Sequence, residues 1–191
     1  MIRLGIVYFS VTGTTELLAQ EIERGASSVK KVEVQSFRIN KKQLVDGRFV
    51  DQNMLAQLDT CDAIIFGSPT YMGGVSSQFK AFADATSELW CEQLWANKLA
   101  AGFTCGSAPN GDQSSTLHYF FTLASQQGML WVSIDAAHGY TKKHLNRLGS
   151  QLGVVAHVSG DGLHEVDKAT AQYLGQRVAE LAKKLNQSES M

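Results

Sequence analysis

The chain has 191 residues, 44% hydrophobic and 18% charged, with a net charge of -1. That length and apolar content fill a full core and leave no room for wholesale disorder. With 17 basic against 18 acidic residues there is no basic stripe, which excludes the usual nucleic-acid footprint, and no apolar run reaches the length of a membrane span.

Met1-Ile2-Arg3 leads directly into an apolar run from Leu4 to Phe9, so no signal peptide is expected and the run reads as a buried strand. Ser10-Val11-Thr12-Gly13-Thr14-Thr15 follows it. Leu17, Leu18, Ile22, Ala26 and Val29 then recur at helical spacing. Val32, Val34 and Phe37 alternate as a second strand. Asp46-Gly47 signals a turn, and Met54, Leu55 and Leu58 a short helix. Ala63 to Phe66 is a third strand, ending at Gly67-Ser68-Pro69. Phe79, Phe82, Ala83, Thr86, Leu89 and Trp90 line the next helix. Leu99 to Phe103 is a fourth strand, followed by a loop rich in Gly, Ser, Pro and Asn. Leu117, Phe120, Phe121 and Ala124 mark a helix that Gly128 caps. Met129 to Ile134 is expected as the fifth strand, with Val154 to Val158 as a short extension. Val166 to Leu185 carries the apolar face of a long last helix. One domain over 1–186 and a frayed tail over 187–191 are expected.

Strands alternating with helices predict an α/β three-layer sandwich, a five-stranded parallel sheet with helices on both faces. In the strand order 2-1-3-4-5, the loops after strands one, three and four leave the carboxyl edge side by side. Ligands bind at that edge. All three loops are rich in glycine and hydroxyls: Ser10 to Thr15, Ser68 to Gly74, and Thr104 to Asp112.

The first loop has the makings of a phosphate site. A strand-to-helix turn presents free N–H groups and the positive end of the helix dipole. It contains no lysine, so it is not a Walker A loop, and its single glycine excludes the dinucleotide fingerprint. Three or four hydrogen bonds to a charged group, with the helix end, reach roughly 6–10 kcal/mol. Nanomolar retention needs about 12 kcal/mol, so a flat or apolar body must contribute the rest. Tyr71 and Met72 of the second loop offer a stacking and filling surface for such a body.

These residues resemble a known family. Ser10-Val11-Thr12-Gly13-Thr14-Thr15 is similar to the phosphate loop of flavodoxins. Gly67-Ser68-Pro69-Thr70-Tyr71-Met72-Gly73, followed by Gln78-Phe79-Lys80-Ala81-Phe82, resembles the second loop of the flavodoxin-like tryptophan-repressor-binding-protein family of FMN-dependent NAD(P)H:quinone oxidoreductases. The resemblance runs from Ile6 to about Leu185. It implies that Ser10, Val11, Thr12, Gly13, Thr14 and Thr15 hold the FMN phosphate. Pro69, Thr70, Tyr71, Met72 and Gly73 would line the flavin ring, and Thr104, Cys105, Gly106 and Ser107 the ribityl chain and pyrimidine edge. It further implies hydride transfer from NAD(P)H, a quinone-like acceptor and a homodimer or homotetramer. No catalytic residue is assigned, because the cofactor carries the chemistry. This chain has Tyr71-Met72 where the family usually has Arg-Phe, and Gln126-Gln127 where it usually has paired histidines, one of them facing the flavin. An electron-transfer flavodoxin is the alternative; such carriers are usually strongly acidic, unlike this chain.

Other features read as structural. Lys142, Lys143, His144 and Arg147 form a solvated face rather than a contact for the 2′-phosphate of NADPH. His118, His138, His144, His157 and His164 lack metal-ligand spacing. Asp161, between two glycines, is a turn residue. Trp90, Trp95 and Trp131 read as core or interface rather than a cofactor platform, and Trp90 and Trp95, near a helix end, as candidates for a subunit contact. The three cysteines, Cys61, Cys91 and Cys105, are dispersed, which fits reduced thiols and a cytoplasmic location.

Overall fold

The computed structural model describes residues 1–137, 144–159 and 162–188. Five strands, β1 (Ile2–Phe9), β2 (Val32–Ile39), β3 (Ala63–Tyr71), β4 (Leu99–Gly106) and β5 (Val154–Ser159), form one parallel sheet in the order 2-1-3-4-5. The main helices are α1 (Thr14–Ser27), α2 (Gln52–Asp59), α3 (Ser77–Ala85), α4 (Gln113–Gln126) and α5 (Glu165–Ser188); the helix expected to run on through Trp90 breaks at Thr86, and a separate short helix spans Ser87–Cys91. The expected three-layer flavodoxin-like sandwich is what forms.

The central strands are mostly apolar because both of their faces are covered. On one face Leu4, Ile6 and Ile65 pack with Leu18 and Ile22 of α1 and Leu174 and Val178 of α5. On the other, Val7, Ile64 and Phe66 pack with Leu55 of α2, Phe79 and Phe82 of α3, and Leu117 and Phe120 of α4. The Phe79 and Phe120 ring centroids stand 4.9 Å apart. Trp95, expected at a subunit contact, is instead fully buried against Phe66. Trp90 is 45% exposed.

Local chemistry sets the ends. Asp51 caps α2 by accepting from the Met54 amide, which holds its carboxyl below the usual carboxylate range. Asp46 and Gly47 both take positive φ at the tip of the hairpin joining Leu44–Val45 to Arg48–Phe49, as a primed two-residue turn requires. Gly128 (φ 68) ends α4 in a Schellman motif: its amide bonds the Ser125 carbonyl, and the Met129 amide bonds that of Ala124.

The fifth sheet position differs from the sequence expectation. Only Leu130–Trp131 of the 129–134 run pairs with the sheet, against Leu99 and Ala100 at the start of β4. The second half of that edge is β5, paired with Phe103 to Gly106. Between them the chain leaves the ladder: the Ile134 amide bonds the Gln151 carbonyl. Val132, Ile134 and Ala136 are buried while Ser133 and Asp135 are exposed. That alternation imitates a strand but reflects extended chain lying on the core. His138, Lys142, Lys143, Asp161 and the tail beyond Ser188 lie outside the described residues.

Candidate functional site

β1, β3 and β4 are neighbours, so the three loops stand side by side at the carboxyl edge. The first is organised by Ser10. Ser10 is 4% exposed, and its Oγ accepts from the amides of Gly13 (3.2 Å) and Glu16 (3.4 Å). The first intrahelical bond of α1 runs from the Leu17 amide to the Gly13 carbonyl. A helix start leaves four amides without intrahelical acceptors. Ser10 takes two of them, and among the described residues no protein acceptor meets the other two, those of Thr14 and Thr15. Gly13 takes φ 93, and a Cβ there would meet nothing within 4 Å, so the space above the turn is open. Thr12 is exposed, and its hydroxyl lies 3.3 Å from that of Thr14. Val11 is 62% exposed. The Thr15 hydroxyl points inward, 3.3 Å from the Cys105 thiol.

Arg38, at the end of β2, is a neighbour that the loop's own sequence does not announce. Its guanidinium donates to the Ser10 carbonyl (3.2 Å) and to the Glu16 carboxylate (2.8 Å). The loop is thus held from behind by a cation already matched with an anion. Burial, then Glu16, push the Tyr8 phenol beneath it up to about 12.

The second loop turns on Met72 (φ 47) and Gly73 (φ 75), which join the end of β3 to the paired Gly74–Val75. Met72 is fully exposed and Tyr71 46% exposed, while Pro69 is buried in β3. Left-handed φ is uncommon for methionine, so this apolar side chain is held out at the tip against local preference. The third loop is tied down at three points. Gln113 Nε2 donates to the Ala108 carbonyl (2.6 Å), Asn110 Nδ2 to the Leu148 carbonyl (2.6 Å), and His157 Nε2 to the Ser107 carbonyl (3.1 Å). A Cβ at Gly106 would lie 2.4 Å from Gln113 Nε2, so glycine there lets the amide cross the backbone. Thr104 is fully buried, and Cys105, whose thiol is raised by burial, lies behind the first loop.

Between the second and third loops lies a cleft of 460 Å³, lined by Thr70, Met72, Gly73, Gly106, Ser107 and Gln113, with Ala108 and Asp112. A larger recess of 670 Å³, lined by Arg48, Phe49, Asp84 and Glu88 among others, lies where none of the three loops reaches. Ala108 and Asp112 belong to the third loop as read from the sequence, but Gln113, just beyond it, was not singled out. A buried glutamine at a helix start carries no pattern of its own.

The residues fit a phosphorylated flat ligand. Two unmet amides, two threonine hydroxyls and a helix terminus suit a dianion, and the cleft on the same sheet edge offers Met72 and Ala108 as apolar surface. Two other sequence positions stand elsewhere. Arg147 grips Asp167 through both guanidinium arms (2.8 and 2.7 Å), so it is not a free cation for a nucleotide phosphate. Gln127 ends α4, about 21 Å of helix from the cleft. It is 2% exposed and donates to the Thr86 hydroxyl (2.8 Å), so within one chain it does not face the loops.

A family model described as NADPH-dependent FMN reductase matches residues 3–142. Flavodoxin FldP of Pseudomonas aeruginosa (strain UCBPP-PA14) is 34% identical, over 97% of this chain and 100% of its own length. An NAD(P)H dehydrogenase (quinone) of Archaeoglobus fulgidus is 32% identical, over 97% of this chain and 100% of its own. A solved flavodoxin, WrbA-like protein from Agrobacterium tumefaciens aligns with a TM-score of 0.74 at 35% identity, covering 96% of this chain and 99% of that one.

Proposed function

Because this chain belongs to the NADPH-dependent FMN reductase family, we propose that it binds FMN across the three loops and passes electrons from NAD(P)H to a quinone-like acceptor. The observation that carries the reading is the pair of unmet amides at Thr14 and Thr15, beside the hydroxyls of exposed Thr12 and of Thr14, on the same sheet edge as a cleft that Met72 and Ala108 help to line. FMN, when bound, supplies a ring that accepts two electrons from a nicotinamide and passes them on. The chain's part is to bind, orient and shield. Ser10 and Arg38 fix the phosphate turn before any ligand arrives, which reduces the ordering penalty of binding. Tyr71 and Met72 cover one side of the ring, and the Gln113, Asn110 and His157 ties keep the opposite loop in place.

Three further parts of the reading rest on composition and surface. A homodimer or homotetramer is supported by apolar side chains left outside: Trp90, Leu94, Phe121 and Leu130 are each more than 40% exposed. A cytoplasmic location is supported by free Cys61, Cys91 and Cys105. The near-neutral charge speaks against nucleic acid as a partner.

A second reading, an electron carrier without its own NAD(P)H turnover, is favoured by the flavodoxin names of two similar proteins. The test is to identify the chromophore released on heating, then to follow NAD(P)H with and without a quinone. Released FMN and quinone-dependent NAD(P)H consumption support the reductase. FMN without NAD(P)H oxidation supports the carrier, and a colourless protein that takes up no FMN contradicts both.

A further inference from the structure

Three threonine hydroxyls form a chain beneath the cleft. Thr70 Oγ1 lies 2.8 Å from Thr104 Oγ1 and 2.8 Å from Thr116 Oγ1, and Thr104 Oγ1 lies 2.7 Å from the Ser68 carbonyl. Thr104 and Thr116 are fully buried, whereas Thr70 lines the cleft. Each hydroxyl has a single proton, and that fixes the direction of every bond. A carbonyl only accepts, so the proton of Thr104 goes to Ser68. Thr104 must then accept from Thr70, and Thr70, its proton used, must accept from Thr116. What Thr70 has left for the cleft is a lone pair.

We infer that Thr70 meets the bound ring as a hydrogen-bond acceptor only, that buried Thr104 imposes this polarity, and that the pair favours the ring in its reduced, N–H-bearing state. The inference rests on the assignment of the cleft to FMN. Hydride transfer moves two electrons and one proton from NAD(P)H to the ring, leaving NAD(P)⁺ and a new ring N–H. The oxidised ring accepts a hydrogen bond at that nitrogen; the reduced ring donates one. An acceptor-only hydroxyl facing that nitrogen would therefore serve the product of hydride transfer. Thr104 acts through Thr70 and is a positioning residue.

The experiment measures the FMN midpoint potential against a reference dye, together with the Kd for oxidised FMN, in five proteins. Thr104→Val frees the Thr70 proton to turn toward the cleft. The preference for reduced over oxidised FMN then falls about tenfold, or about 30 mV downward for a two-electron couple. Thr104→Ser restores the wild-type potential. Thr116→Val breaks a bond of the same chain but leaves the Thr70 proton on Thr104, so the potential stays put. A purely structural role predicts equal effects from the two valines. Equal shifts, or no shift in Thr104→Val, overturn the inference. Should Thr104→Val fail to fold, Thr70→Val decides, because it removes the accepting oxygen at the cleft itself: a lowered potential supports the inference and an unchanged one overturns it. Wild-type protein that takes up no FMN overturns the cofactor assignment and this inference with it, whereas FMN uptake with immovable potentials overturns this inference alone.

Discussion

The thiol of Cys105 meets the hydroxyl of Thr15 at 3.3 Å across 90 residues of sequence, tying the end of β4 to the first turn of α1. Burial pushes this thiol up, and Cys61 is raised to about 11 for the same reason, while Cys91 is exposed. Thiolate is the reactive form. Iodoacetamide at about pH 8 therefore modifies Cys91 quickly and the other two only after unfolding. Peptide mass spectrometry checks this; early labelling of Cys105 in folded protein contradicts the buried contact.

Gly25 and Gly175 bring α1 and α5 into backbone contact. A Cβ on Gly25 would lie 1.9 Å from the Gln172 carbonyl oxygen, and one on Gly175 2.0 Å from that of Ile22. Inside an open helix, Gly→Ala stabilises by about 1 kcal/mol. Here the helices must part, so the sign reverses: Gly25→Ala and Gly175→Ala each destabilise by about 2 kcal/mol. Urea titration at constant m-value reads the change.

Asp167 is 2% exposed and is held by both arms of Arg147, whose side chain is 26% exposed. Removing one partner of a fully buried pair costs roughly 3–5 kcal/mol. The partial exposure of Arg147 lowers this, and Asp167→Ala is expected to lose about 2 kcal/mol. The His157 amide also bonds Asp167 (3.3 Å), and His157 holds the Ser107 carbonyl. The same variant should therefore loosen the third loop, visible as faster amide hydrogen exchange near Ser107.

Tyr8 and Tyr119 are both raised from 10.0 to about 12, by burial first. Above pH 10 the unfolded chain loses these protons while the folded chain keeps them, so it is the native state that binds more protons. Their contribution to stability is whole below pH 10 and fades as pH climbs toward 12. Denaturant midpoints in that window should fall for the wild type, and less steeply for Tyr8→Phe.

The three loops were legible because their chemistry is local: glycines and hydroxyls follow apolar runs, and the parallel order puts those ends together. Arg38, Gln113 and His157 were not, because each reaches the site from another element and carries no pattern in its own segment. The fifth strand was drawn too long because alternation registers burial rather than pairing: Leu130–Trp131 pairs with β4 and the Val132 amide bonds the Ala100 carbonyl, whereas Ile134 and Ala136 face the core beyond the ladder. Trp95 looked like interface for the opposite reason, since nothing in its polar segment announces that its ring lies on Phe66.

The turn at Thr12 to Thr15 holds a dianion in the proposed complex, and calorimetry with FMN and with riboflavin, which lacks only the phosphate, tests this most directly. The prediction is roughly 100-fold tighter binding of FMN, with most of that margin lost in the Thr12→Ala, Thr14→Ala double variant and riboflavin binding unchanged. Equal affinity for the two ligands would contradict it.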